Sequence, residues 1–414
     1  MLGGKGLSFL WKVVLAQAGP SALGFVQLSL VSLTLLANLC LLGLQTTIIR
    51  FIAIMRQRKQ PKAADAVLLF TFKVSMSVAL VLSVVVWVLP SLARDTLQLH
   101  SLSDTSIRLL MGALPFFVAS ELLVSYFNAT QQMVRYGLGK YVLQPFFRLL
   151  LLFVVLFSPF APEFGVVLHI VLAGVLSTVV LFAMSMLWKD RSRWSVSLED
   201  SYRQEFLDYS VPVAGSFLLF IAYGTIDTFL ISRSMAIEYV GLYSALLLLV
   251  ELTDVVFLPS LNLLYAHLGS FEKNLAAGTR FVVEKMAVFV VLALLVFMAM
   301  ALFKDTLITF ILGSEYMSIS VFVLPLLVAK LLETTLLFPL RHLLDFYGYV
   351  RLTLGFMTIT LLTKIIAGAY FTHLYGIWGL VLTVAAVNTL HVVACIVALG
   401  VILRFQVLRS SQTL

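Results

Sequence analysis

Charged residues make up only 12% of this 414-residue chain. Soluble globular proteins carry about 25%, so a large water-exposed domain, a disordered chain and a fibrous repeat are all excluded. Cysteine is nearly missing. Cys40 and Cys395 both lie in apolar runs, which excludes a disulfide framework and a cysteine-rich zinc site. No G-x-x-x-x-G-K-[ST] phosphate loop occurs, because Gly137-Leu138-Gly139-Lys140 is followed by Tyr141. Direct use of ATP is therefore not expected. No His/Cys set has metal-ligand spacing, so no cofactor and no metal are expected. A cleavable signal segment is not expected either: the first apolar run lacks a small-residue cleavage site and more spans come after it. Long external loops are also lacking. A membrane-embedded glycan polymerase or ligase needs such a loop for its catalytic groups, so an enzyme is not expected.

Apolar side chains are abundant, at 61%, with a mean hydropathy of +1.05. A bilayer-spanning helix needs about 20 such residues. That ruler finds about twelve spans, from Lys5–Ala18 through Ala22–Ile54 to Ile377–Phe405. The expected fold is therefore all-α, a polytopic membrane protein. The net charge of +8 does not point to nucleic acid, because the basic residues sort by loop. Arg50, Arg56, Arg58, Lys59 and Lys62 follow the second span; Lys189, Arg191 and Arg193 follow the sixth; Arg404 and Arg409 close the chain. The alternate loops hold little more than Arg94, Arg233 and Lys304. By the positive-inside rule both termini are cytoplasmic. The expected location is the cytoplasmic (inner) membrane.

The chain also repeats itself. Arg94-Asp95-Thr96-Leu97 returns as Lys304-Asp305-Thr306-Leu307, and Leu114-Pro115 as Leu324-Pro325, both at an offset of 210. Tyr136-Gly137 returns as Tyr347-Gly348 and Phe164-Gly165 as Tyr375-Gly376, both at 211. One inserted residue reconciles the two offsets. The expected arrangement is two parallel six-helix bundles, residues 1–203 and 204–414, related by an axis along the membrane normal. Two such bundles suit a carrier better than a channel. The first helix is short against its counterpart, which starts near Phe206, and reads as truncated.

Ionisable groups within apolar spans cost on the order of 2.5–3.5 kcal/mol each on insertion scales, so each needs a role. Glu251 and Asp254 stand i,i+3 on one helix face in the eighth span. Two like charges cannot neutralise each other, so a proton or cation site there is one reading. A pair bonded to Lys12 or Arg50 is the other. Asp227 lies in the second half of the seventh span, Lys12 in the first and Arg50 near the end of the second. Lys330 and Glu333 are i,i+3 and read as a self-neutralising pair. Arg148 and Lys364 read as interfacial anchors, and His169 and His391 as packed helix histidines.

Four stretches carry a resemblance. Leu42–Ala53 (LGLQTTIIRFIA), Ile226-Asp227-Thr228-Phe229-Leu230-Ile231 with Val240-Gly241-Leu242-Tyr243, Leu312-Gly313-Ser314-Glu315-Tyr316 and Tyr375-Gly376-Ile377-Trp378-Gly379 resemble the polysaccharide-transport branch of the multidrug/oligosaccharidyl-lipid/polysaccharide (MOP) exporter superfamily. These are the Wzx-like, MATE-related flippases. The resemblance implies a carrier that flips a polyprenyl-diphosphate-linked oligosaccharide to the outer leaflet by ion-coupled alternating access. It implies proton or sodium coupling, membrane lipids and a lipid-linked glycan as partners, and a glycan polymerase or glycosyltransferases alongside. Arg50 and Lys12 would then meet the diphosphate head, and Asp227, Glu251 and Asp254 would serve ion coupling. The competing expectations are a MATE-type exporter of organic cations and a non-transporting scaffold of a glycan-assembly complex.

Overall fold

The computed structural model describes residues 2–57, 61–156, 162–186, 200–254 and 275–412, together with 257, 260, 261, 264, 267, 268 and 271. The basic loop residues Arg58, Lys59, Lys189, Arg191 and Arg193 lie outside them. Every regular element among the described residues is helical. Nine helices there are long and apolar enough to cross a membrane, and Gly6–Ala16 adds a shorter apolar one.

The chain divides into two compact units, Met1–Gly241 and Leu242–Leu414. The first contains α1 (Leu2–Ala16), α2 (Pro20–Leu41), α3 (Leu44–Gln57), α4 (Pro61–Val88) and α5 (Pro90–Thr96). It continues with α6 (Asp104–Gly112), α7 (Leu114–Ala129), α8 (Met133–Gly137), α9 (Gln144–Leu156), α10 (Pro162–Met186), α11 (Asp200–Ser234) and the opening of α12 (Ile237–Val250). Pro20, Pro61, Pro90 and Pro162 each open a helix, where the missing N–H would have had no partner anyway. The packing boundary differs from the repeat boundary at residue 203, because α11 lies against α2 and α3 in the first unit.

Several of the expected spans are interrupted. The run Ala22–Ile54 breaks at Leu42 and Gly43, with φ of +46° and +67°. A Cβ on Gly43 would sit 2.7 Å from the Ala214 Cα on α11. Glycine there serves both the left-handed backbone and the close approach. The fourth span breaks at Ala113, just before Pro115. The tightest approach in the unit joins α2 to the start of α12. A Cβ on Gly24 would overlap the Ile237 carbonyl, and one on Gly241 would overlap the Pro20 carbonyl. Such small-residue contacts let membrane helices meet backbone to backbone. Hydroxyls add cross-helix ties: Ser83 donates to the Met111 carbonyl at 2.8 Å and Thr178 to that of Phe116 at 2.9 Å. Leu123, Val124, Phe127 and Leu181 form a buried cluster between α7 and α10.

The second unit contains the rest of α12, then α13 (Leu275–Leu307), α14 (Ser320–Leu332), α15 (Phe338–Phe346), α16 (Val350–Tyr375) and α17 (Ile377–Gln412). Wide π turns occupy Ile308–Leu312 and Glu333–Leu337. α16 and α17 form the most extensive helix pair of the unit, and α14 lies on α17. Asn388 Nδ2 donates to the Ala329 carbonyl at 3.1 Å, fixing α17 to α14. The Tyr347 hydroxyl donates to the Phe271 carbonyl at 2.7 Å.

Candidate functional site

Among the described residues, each unit holds a charge centre on its helices, besides the pairs Lys140–Glu121 and Arg341–Asp345. In the second unit α12 ends at Val250 and a tighter 3-10 turn covers Glu251–Thr253. Asp254 comes directly after it and turns its carboxylate to Lys330, with Nζ–Oδ1 at 3.4 Å. Lys330 Nζ is also 3.5 Å from Glu333 Oε2. The three side chains are about one-fifth exposed, and Glu251 is exposed. Lys330 is in the last turn of α14 and Glu333 opens the π turn, so a change of helix geometry falls between them. The ammonium thus bridges two carboxylates from different helices. The expected isolated pair Lys330–Glu333 and the expected like-charged pair Glu251/Asp254 are parts of one cluster. Asp254 and Glu333 together carry more negative charge than Lys330 offsets.

In the first unit the charge centre is cationic. Arg148 lies in the second turn of α9, half-buried. Its guanidinium carbon is 5.5 Å from the centre of the Trp11 ring on α1. Arg148 Nη2 donates to Gln144 Oε1 at 3.3 Å, while its Nε is buried without a hydrogen bond. Trp11 is 1% exposed and meets the buried ring of His169 edge-on, 6.1 Å between centroids. No carboxylate pairs with Arg148 among the described residues. A ring face supports a desolvated cation by about 2 kcal/mol, yet it leaves the charge itself unneutralised. Arg148 is thus packed in a cluster with Trp11, which in turn meets His169. The sequence contained a local hint, the i,i+4 spacing of Gln144 and Arg148; the Trp11 contact is tertiary.

The remaining predicted residues are dispersed. Lys12 comes next to Trp11 on α1 and is half-buried; Arg50 is exposed on α3; Asp227 is buried on α11, 8% exposed. Lys364, expected as an anchor, lies mid-helix in α16 and is only 3% exposed, so it does not reach an interface. His391 is buried as expected, with Nδ1 3.4 Å from Thr360 Oγ1.

The family model described as "Polysaccharide biosynthesis protein" matches residues 1–265. This chain belongs to that polysaccharide biosynthesis family. A search of curated proteins found no match. Solved structures add the fold. The chain is similar to the inward-facing conformation of a multidrug resistance MATE family transporter of the MOP superfamily. The TM-score is 0.80 at 14% identity, covering 98% of this chain and 95% of that one. It is similar to the lipid II flippase MurJ in an inward closed conformation, with TM-score 0.72, 12% identity and coverage of 97% and 88%. A MOP superfamily transporter from Pyrococcus furiosus, whose report describes a binding pocket of reverse polarity, matches with TM-score 0.60, 15% identity and coverage of 96% and 93%. The polysaccharide-family chain thus has the fold of the twelve-helix MOP transporters and is a multi-pass membrane protein.

Proposed function

We propose that this protein flips a polyprenyl-diphosphate-linked oligosaccharide from the cytoplasmic to the outer leaflet by ion-coupled alternating access. Membership of the polysaccharide biosynthesis family supports the cargo class, and the likeness to a lipid II flippase supports the lipid carrier. The observation that carries the reading is the cation on α9 that no described carboxylate neutralises. A diphosphate–sugar head is anionic and cannot enter hydrocarbon unaided. Arg148, with Lys12 and Arg50, supplies positive charge to it, and a guanidinium matches phosphate oxygens through paired N–H donors. The carboxylates Asp254, Glu333 and Glu251 of the second unit hold the coupling proton or sodium ion, and Asp227 of the first unit is a separate candidate for the same role. Both termini are cytoplasmic in this reading, and the chain performs no bond-making step of its own.

The test is export of lipid-linked glycan in the host of this chain. Deletion should trap the glycan on the cytoplasmic leaflet, and the wild-type chain should restore export. Arg148→Ala, Arg50→Ala and Lys12→Ala, each produced at wild-type level, should lower export by about tenfold or more, the loss of one charge-assisted contact. Full export by all three would remove the head-group role. A second reading, extrusion of organic cations, is favoured by the excess of carboxylates around Lys330. It requires drug efflux that Asp254→Asn abolishes while glycan export stays intact.

A further inference from the structure

A cavity of about 380 Å³ opens on the first unit between α4, α6, α7 and α10, and neither charge centre contributes to it. Its wall is a helical stripe, Thr105, Arg108, Leu109, Gly112 and Phe116, faced by Trp87 of α4 and Val171 and Val175 of α10. The positions 105, 108, 109, 112 and 116 fall on one face of the α6–α7 run. All of the lining is apolar except Thr105 and Arg108, and both lie in the first turns of α6, at one end of the groove. Volumes of this size are ordinary for small-molecule sites.

The polar end is built. Arg108 Nε donates to the Trp87 carbonyl at 3.2 Å, and its guanidinium carbon lies 5.8 Å from the Trp87 ring centre. The Nη nitrogens make no hydrogen bond to any described residue. Asp104, the acid one turn away, is already paired with Arg94. The guanidinium is therefore held in place with its outer N–H groups unspent. Trp87 stands in the last turn of α4, opposite the basic end of that helix. By the positive-inside reading this level is the outer interface, where tryptophan and arginine meet lipid head groups. Phe116 is eight residues below Arg108, about 12 Å deeper at helical rise. A cation at head-group level above an apolar trough running into the hydrocarbon has the layout of a phospholipid: phosphate above, acyl chain below.

We propose that this groove binds one anionic glycerophospholipid of the outer leaflet, its phosphate on Arg108 and one acyl chain along Gly112, Phe116 and Val175. Charge complementarity selects the head group. The terminal N–H groups of Arg108 meet the phosphodiester, and the unoffset positive charge favours a lipid carrying net negative charge over a zwitterion. Occupancy does not depend on which cargo the protein carries. Gly112 is the residue through which the groove can be closed, because a Cβ built there meets no atom within 4 Å.

The test is native mass spectrometry of the full-length purified protein titrated with phosphatidylglycerol or with phosphatidylcholine of the same acyl chains. Wild type should retain one phosphatidylglycerol about tenfold more tightly than phosphatidylcholine, one charge-assisted contact's worth of selection. Arg108→Gln should bring the two lipids level. Gly112→Leu, checked for an unchanged melting temperature, should weaken both by filling the trough. Arg108→Gln reports alone if Gly112→Leu does not fold. Equal retention by wild type and Arg108→Gln, or no preference between the lipids in wild type, would overturn the proposal. So would displacement of phosphatidylglycerol by an equimolar polyprenyl diphosphate, which would make the groove part of the cargo path.

Discussion

Arg148 and Lys330 both bring a positive charge into apolar helices, and the two units accommodate it in opposite ways. The second unit surrounds Lys330 with Asp254 and Glu333 at 3.4 and 3.5 Å. The first places Arg148 against the face of Trp11 with one amide oxygen and no described carboxylate. The difference comes from the side chains. An ammonium is a compact, strongly hydrated point charge that needs acceptors on several sides; a guanidinium is planar and weakly hydrated, and it stacks. A cation held by carboxylates is satisfied where it sits. A cation held by a ring keeps its electrostatic reach for something else.

The comparison can be broken by substitution. The largest effect should come from Lys330→Met, which leaves Asp254 and Glu333 facing each other. A loss of about 3 kcal/mol is expected, read as a lower melting temperature of the detergent-purified protein. The triple change Lys330→Met, Asp254→Asn, Glu333→Gln should recover most of it. Trp11→Leu comes next, at about 2 kcal/mol, because Arg148 then loses its ring while staying desolvated. Arg148→Met should change stability by no more than about 1 kcal/mol, since a methionine of similar length removes an unneutralised charge from an apolar setting. Its cost should appear in glycan export instead; an Arg148→Met protein that melted several kcal/mol low would make the two centres alike. The smallest effect marks the baseline: Arg280→Ala, breaking the exposed i,i+4 pair with Glu284, should shift stability by under about 0.5 kcal/mol.

Much of the fold was legible because the bilayer imposes it. Apolar length and sparse charge alone lead to about twelve helices, and Pro115 signals the break at Ala113. The break at Leu42–Gly43 was hidden in an unbroken apolar run, since its cause is the approach of α11 to Gly43. The same limit governs the charge centres. Lys330 and Glu333 share a face by spacing alone, whereas the reach of Asp254 to Lys330 depends on helices about 75 residues apart in sequence. The contact of Arg148 with Trp11 was out of sight for the same reason, since α1 and α9 are far apart in sequence. Lys364 was misjudged for a simpler reason: α16 begins at Val350, which puts residue 364 at its middle.

The two repeats fall out of step by one residue between Pro325 and Tyr347, and the wide turn at Glu333–Leu337 lies inside that interval. A π turn takes up one extra residue that, in an unbroken α-helix, would swing everything downstream by about 100° around the axis. Lys330 stands before this joint, and Arg341 and Asp345 after it. The wide turn thus lets this half of the chain carry an added residue without changing the bearing of one charged group relative to the other. Removing one residue from 333–337 would close the wide turn into regular α-helix and leave the downstream side chains on the faces they already occupy.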